Sequence, residues 1–241
     1  MKVFLFLALT LSSYSYAQSG HDHQVDTKKT DQHGGMHEGD HHGGMGGMHG
    51  GHHALDKNTL KQFFEPLPVS IIDEKKNAAL IKLGKKLYLD PRLSINDQIS
   101  CNSCHRLDNS GVDSQSTSPG HEGKHGGRNS PTTMNAALHI AQFWDGRAKD
   151  VEEQALGPIL NPIEMGMSNE AAVVDKLKKI EEYKGLFAEA FKGEKDPYQY
   201  KNIGKAIGAF ERTLLTPSRF DDYLKGDENA LNDSEKRGLT K

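Results

Sequence analysis

The two cysteines of this chain stand three residues apart and run directly into a histidine, Cys101-Asn102-Ser103-Cys104-His105. Two thiols at that spacing can add across the two vinyl groups of a haem, and the adjacent imidazole then swings under the iron as proximal ligand. Attachment also disposes of both thiols as thioethers, which matters if the chain works outside a reducing compartment. A thioredoxin-like redox pair would need a strand–helix–strand setting that the surrounding sequence does not offer. A zinc site would need a second cysteine pair, and there is no further cysteine. We therefore expect one haem c, bound covalently through Cys101 and Cys104 with His105 on the iron.

The other face of the iron takes a sixth ligand or stays open. His121, His125, His139, Met134, Met165 and Met167 are the available donors. A thioether would raise the potential and an imidazole would lower it, and spacing does not choose between them. His121 and His125 lie in a glycine-rich stretch, Gly120 to Gly127, pliable enough to fold back over a haem.

Helices must position these residues. Leu55 to Phe64 reads as a short amphipathic helix stopped by Pro66 and Pro68. Lys75 to Leu89 places Leu80, Leu83, Leu87 and Tyr88 on one face and ends at Asp90-Pro91. Residues 106–135 are polar and rich in glycine and serine, a long loop of the kind that is usually functional. Ser168 is expected to cap a helix reaching Tyr183, with Val173, Val174, Leu177 and Ile180 inward. Pro197 to Thr216 carries a stripe of Ile203, Ile207, Phe210 and Leu214, and Asn232 with Glu235 forms a capping box. No segment alternates as a strand would, so the fold class is mainly α with long loops.

The N-terminus bears an export signal. Lys2 precedes the apolar run Val3 to Leu11, and Ser15-Tyr16-Ala17 is a small-x-small cleavage site. The run is too short to span about 30 Å of hydrocarbon and no cysteine follows it for lipid attachment, so we expect no membrane anchor. Residues 18–53 hold nine of the 13 histidines, with Met36, Met45 and Met48 and almost nothing apolar. Such a segment cannot offset the entropy of ordering. Its imidazoles and thioethers could hold copper, zinc or nickel, or it could be a solvated linker. A formal net charge of −3 gives no electrostatic case for nucleic acid.

Longer stretches resemble the bacterial di-haem cytochrome c peroxidases, related to MauG-type enzymes. The matching pieces are LGKKLYLDPRLS (83–94), SCNSCH (100–105), GVDSQSTSPGH (111–121), GRNSPTTMNAAL (127–138), QFWDGRA (142–148), EEQALGPILNPIEMG (152–166) and AIGAFERTLLTPSRFDDYLKGD (206–227). The resemblance implies a class-I cytochrome c-like domain in the periplasm. It would reduce hydrogen peroxide with electrons from a small cytochrome c or cupredoxin, often as a homodimer. Carried over by residue, it makes Cys101 and Cys104 the attachment points and His105 the proximal ligand. It makes His121 the releasable distal ligand, Glu164 the active-site carboxylate, Gln154 its polar neighbour and Trp144 the residue between two haems. Asn129 becomes a ligand to an interdomain calcium. Arg128 and Arg147 could pair with haem propionates or form structural ion pairs.

The family's second haem motif follows a stretch like NDSEKRGL (232–239) and is not found here. We expect a fragment: a leader (1–17), a His/Gly/Met-rich tail (18–53), a peroxidatic haem domain (54–220) and the start of a second haem domain (221–241). Two other functions fit less closely: a MauG-like haem oxidase acting on a partner protein, and a non-enzymatic electron-transfer or metal-binding cytochrome.

Overall fold

The computed structural model describes residues 57–239, so the leader and the histidine-rich tail lie outside the described residues. Within that span the chain forms α1 (Lys57–Leu60), α2 (Ala78–Leu89), α3 (Cys101–Cys104), α4 (Val151–Gln154) and α5 (Gly157–Leu160). These are followed by α6 (Glu170–Lys178), α7 (Glu181–Ala190), α8 (Tyr200–Glu211), α9 (Arg219–Lys225) and α10 (Asp233–Gly238). No strand forms among the described residues, where extended pairing is limited to the isolated contacts Pro119–His125 and Gln142–Ala148. The mainly α reading holds.

The core is built where α2 crosses α8. Leu83, Leu87 and Tyr88 of α2 are buried against Ile203, Ala206, Ile207 and Phe210 of α8, and Tyr88 meets Phe210 edge-on at 5.3 Å. The crossing is close because Gly84 has no side chain. A Cβ there would lie 1.8 Å from the Ala206 carbonyl oxygen and 3.0 Å from Phe210 Cβ. On its other side α8 approaches α4 in the same way, since a Cβ on Gly204 would fall 2.4 Å from the Glu152 carbonyl oxygen.

Helix α2 stops where expected. Asp90 is extended (φ −91°, ψ 112°) because the residue before a proline is steered out of the helical region. Its buried carboxylate accepts hydrogen bonds from the Arg92 backbone and guanidinium and from the Tyr183 hydroxyl at 2.8 Å. Burial pushes the Asp90 carboxyl up, but these hydrogen bonds, with the charge of Arg92, outweigh it and hold the group at about 2.

The helix expected from Ser168 to Tyr183 is two helices. Asn169, not Ser168, is the cap, accepting from the Ala172 amide at 2.9 Å. Ile180 is extended (φ −92°, ψ 108°) and separates α6 from α7. In one continuous helix Tyr183 would sit roughly 240° around the axis from Leu177, and both could not face the same core. The break lets Val173 and Leu177 pack from α6 and Tyr183 and Phe187 from α7, and Tyr183 reaches Asp90 as a result. The first helix is also shorter than expected, ending at Leu60 rather than Phe64. Leu60 joins Tyr223, Leu224 and Leu231 in a second, smaller cluster. At α10 the capping box forms, with Asn232 Oδ1 accepting from the Glu235 amide at 3.0 Å and Glu235 accepting from the Asn232 amide at 2.8 Å.

Gly84→Ala sets two effects against each other. Helix propensity favours alanine by about 1 kcal/mol, whereas the contact with backbone that cannot swing aside costs about 1–3 kcal/mol or more. We expect net destabilisation, read as a lower urea midpoint with an unchanged m-value.

Candidate functional site

The Cys-x-x-Cys-His motif folds as a single helical turn, which places Cys101 and Cys104 on one face. The turn starts at Ser100, whose amide donates to Ser103 Oγ at 3.0 Å, and closes at His105, whose amide donates to the Cys101 carbonyl at 2.9 Å. The thiols are not joined to each other. Burial pushes Cys101 up to about 12 and Cys104 in the same direction, which disfavours the thiolate that redox exchange would need.

His105 is held at two points. Its Nδ1 lies 2.9 Å from the Pro131 carbonyl oxygen, and because a carbonyl only accepts, Nδ1 carries the proton and Nε2 keeps its lone pair. Burial lowers the imidazole's pKa, partly opposed by the hydrogen bond to Pro131. A neutral ring that gives Nδ1–H to a backbone carbonyl and keeps the Nε2 lone pair is the form an iron ligand requires, and the Gly111 backbone is a further hydrogen-bond partner of this imidazole. The second hold is on the main chain, where the Tyr88 hydroxyl donates to the His105 carbonyl at 2.7 Å and lies 3.1 Å from Thr133 Oγ1. Two elements distant in sequence, α2 and the segment 131–133, thus grip the histidine. The paired thiols on one face, the capped turn and the Nδ1–H held on Pro131 fit a covalently held haem c.

Near this turn, where Ser118 hydrogen-bonds Cys104, two loops build a ledge. Residues 119–125 close on themselves, with the Gly120 amide donating to Lys124 O at 2.7 Å. They dock on residues 161–166 through the His121 amide, which lies 2.9 Å from Ile163 O and 2.8 Å from Glu164 O. Docking requires Gly120, where a Cβ would fall 2.0 Å from the Ile163 carbonyl oxygen. The His121 ring lies against Gly166, and its buried Nδ1 has no hydrogen-bond partner among the described residues. A buried ring nitrogen left without a partner suits a ligand from outside the chain, while the other, Nε2, lies 3.7 Å from the Glu122 carboxylate. Glu164 is half-buried, and burial raises its pKa against the opposing charge of Arg147. Cys104 in turn feels the charge of Glu164, so ledge and attachment turn share one electrostatic neighbourhood.

A third piece is the loop 142–148, closed by the Gln142 amide on Ala148 O at 2.7 Å and anchored by the buried Gln142 side chain on Ala136 O. It presents Trp144, which is 64% exposed and so is not a core residue. Its indole Nε1 donates to Asn129 O at 2.8 Å, while the Asn129 side-chain amide donates to Gln115 O at 2.6 Å. Asp145 accepts from both Arg128 (2.9 Å) and Arg147 (2.8 Å), and these hydrogen bonds hold its carboxyl at about 2. Arg128 and Arg147 therefore form the structural ion pair.

The remaining candidates divide clearly. Gln154 ends α4, half-buried, and no hydrogen bond among the described residues joins it to Glu164. Met165 and Met167 are buried in the main core, His139 is exposed, and His125 bonds to Thr117. Among the described residues no group of three or more histidine, cysteine or acidic side chains could hold a metal ion, so Asn129 has no carboxylate cluster beside it. Sequence reasoning took Tyr88 only as a core residue and passed over Thr133 and the Pro131 carbonyl. Nothing in a one-dimensional pattern marks a backbone acceptor 26 residues from the ring it binds.

The chain belongs to the di-haem cytochrome c peroxidase family, whose model matches residues 78–229. It is 46% identical over 180 residues to the cytochrome c551 peroxidase of Pseudomonas aeruginosa, covering 73% of this chain and 52% of that protein. To the cytochrome c551 peroxidase of Nitrosomonas europaea it is 46% identical over 176 residues, covering 72% and 52%. Among solved structures it resembles a MauG-like protein associated with microbial copper homeostasis (TM-score 0.64, 32% identity), covering 73% of this chain and 52% of that one. The chain thus spans about half the length of these relatives.

The grip on His105 can be measured. Tyr88→Phe leaves a buried carbonyl without its donor and should cost about 1–3 kcal/mol. Thr133→Val, which leaves the bond from Tyr88 to His105 in place, should cost less. Equal losses in urea unfolding would show that the strap does not run through Tyr88.

Proposed function

We propose that this chain carries the peroxide-reducing haem of a periplasmic cytochrome c peroxidase. The observation that supports the reading is a doubly held His105 beside Cys104, which in turn feels the charge of Glu164, a half-buried carboxyl with a raised pKa on the ledge that also carries His121. The haem, attached through Cys101 and Cys104 with His105 on its iron, supplies the electrons that reduce hydrogen peroxide to water. The protein residues handle ligands and protons. His121 would be the distal ligand, on a loop that two backbone hydrogen bonds hold to the ledge and whose breaking would release it. With His121 released, Glu164 would take the proton from one peroxide oxygen and return it to the other. A carboxyl raised by burial is better placed for both halves of that transfer than a solvated one.

Gln154 is the polar neighbour of the bound peroxide. Trp144, exposed and held by Asn129, lies on the path from a second haem, and Asn129 contributes to an interdomain calcium. The electrons come from a small cytochrome c or cupredoxin, and the active protein is a homodimer. The export signal supports the periplasmic location, and no helix among the described residues is long and apolar enough to cross a membrane.

His121 favours a peroxidase over a MauG-like oxidase. The haem-loaded full-length protein should show a low-spin, bis-histidine spectrum when oxidised, and His121→Gly should convert it to high spin. A high-spin wild type would favour the MauG-like reading instead.

Glu164→Gln should lower peroxide turnover by about 10²–10⁴-fold. In the wild type, turnover should fall as pH drops through the raised pKa of Glu164, where the base form is lost. That acid limb should vanish in the variant, and its persistence would remove Glu164 from the role.

A second reading concerns the tail. Nine histidines with Met36, Met45 and Met48 suit copper, zinc or nickel, and the copper association of the MauG-like relative favours copper. Deleting residues 18–53 from the full-length protein should abolish high-stoichiometry copper binding in equilibrium dialysis while leaving peroxide turnover intact. Unchanged copper binding would make the tail a linker.

A further inference from the structure

Glu211 is the last residue of α8, on the same apolar stripe as Ile203 and Ile207, and only 4% exposed. No described residue donates a hydrogen bond to its carboxyl group. The neighbouring cation is engaged elsewhere, because Arg212 grips Glu152 of α4 through two bonds of 2.8 and 2.9 Å. The groups that face Glu211 are Glu152 from α4, Arg212 from its own end, Tyr88 from α2 and Cys101 from α3. Two of these belong to the site. Cys101 is a haem attachment point, and Tyr88 donates to the carbonyl of His105. A nearly buried acid side chain without a hydrogen-bond donor thus lies within electrostatic reach of Cys101, with no role in the scheme above. Burial pushes the carboxyl up to about 8, with Glu152 adding to the rise and Arg212 opposing it.

We propose that Glu211 is a redox-linked proton site for the haem carried by Cys101. It binds one proton from solvent as that haem gains one electron from the donor protein, and releases the proton when the electron leaves. The reasoning is electrostatic. Adding an electron removes one unit of positive charge from the iron, and inside a low-dielectric wall that change reaches the carboxylate with little screening. The reduced state therefore favours the protonated acid and the oxidised state the carboxylate. Charge uptake is neutralised beside the haem, which suits a reaction that consumes one proton for each electron. Glu164 would move a proton between the two oxygens of peroxide, whereas Glu211 balances charge near Cys101, so the two functions are separable.

The proposal rests on haem attachment at Cys101 and is tested on the haem-loaded full-length protein. The midpoint potential of this haem, followed by spectroelectrochemistry between pH 5 and pH 9, should fall as pH rises. The limiting slope is about 59 mV per pH unit, the value of a tenfold change in proton concentration for one electron. Glu211→Gln, a neutral isostere of the protonated acid, should flatten that slope. Glu152→Gln removes the like charge and frees Arg212, so it should move the sloping region to lower pH without abolishing it. A slope unchanged in Glu211→Gln, with haem attachment verified by mass, would overturn the proposal and leave the peroxidase reading standing. Loss of the slope in Glu211→Gln in a protein without peroxidase turnover would support the proposal and sink that reading. Should Glu211→Gln fail to fold, the shift in Glu152→Gln decides alone, and no shift there would overturn the proposal.

Discussion

Backbone meets backbone where α2 crosses α8 at Gly84 and Ala206. Most of what the molecule does with His105 depends on that closeness. Tyr88 follows Gly84 by one turn, so the depth of the crossing decides whether its ring reaches Phe210 and its hydroxyl reaches the His105 carbonyl. A methyl group at position 84 would meet the Ala206 carbonyl oxygen at 1.8 Å, so the crossing would have to open. Packing and chemistry are therefore coupled: the apolar stripe of α2 sets the core and also carries the donor that steadies the proximal histidine.

The site itself is assembled mostly from irregular chain. Between α3 and α4 lie more than 40 residues without a helix longer than a single turn. They are held by short closures: His105 Nδ1 on Pro131, His121 on Ile163 and Glu164, Gln142 on Ala148 and Ala136, and Trp144 on Asn129. Each bond contributes only about 1 kcal/mol net. A set of such closures, docked on a helical core, positions several side chains while leaving individual loops able to move. That combination suits the ligand role proposed for His121, which calls for a loop held in one state and released in another.

Buried acids show how the same physics gives opposite outcomes. Asp90 is sealed in the core but receives hydrogen bonds from Arg92 and Tyr183, and it stays ionised far into acid. Glu211 is sealed in with no donor, its neighbouring arginine committed to Glu152, and it favours the neutral acid. Burial raises both groups, and the difference is whether donors surround the carboxylate. Each pKa shift is also a dependence of stability on pH. The lowered group contributes stability that is lost as pH falls through about 2. The raised group contributes stability that is present below the ordinary carboxylate range and is lost as pH rises toward about 8.

The sequence alone determined that Cys101, Cys104 and His105 share one helical turn, because a spacing of three and four residues is local. It also determined the helix stripes of α2 and α8, the stop at Asp90-Pro91 and the capping box at Asn232 and Glu235, all of which rest on contacts within a few residues. The break at Ile180 was not legible, since it answers to which faces of α6 and α7 the core accepts. Glu211 left a faint trace as an acid on an apolar stripe, but its isolation depends on Arg212 turning to Glu152, 60 residues away. Tertiary structure decided that His121 docks beside Glu164, that Trp144 faces outward, and that Pro131 and Tyr88 grip the proximal histidine. Those relations join backbone atoms of remote segments, and a backbone amide or carbonyl looks alike at every position until the fold chooses its partner.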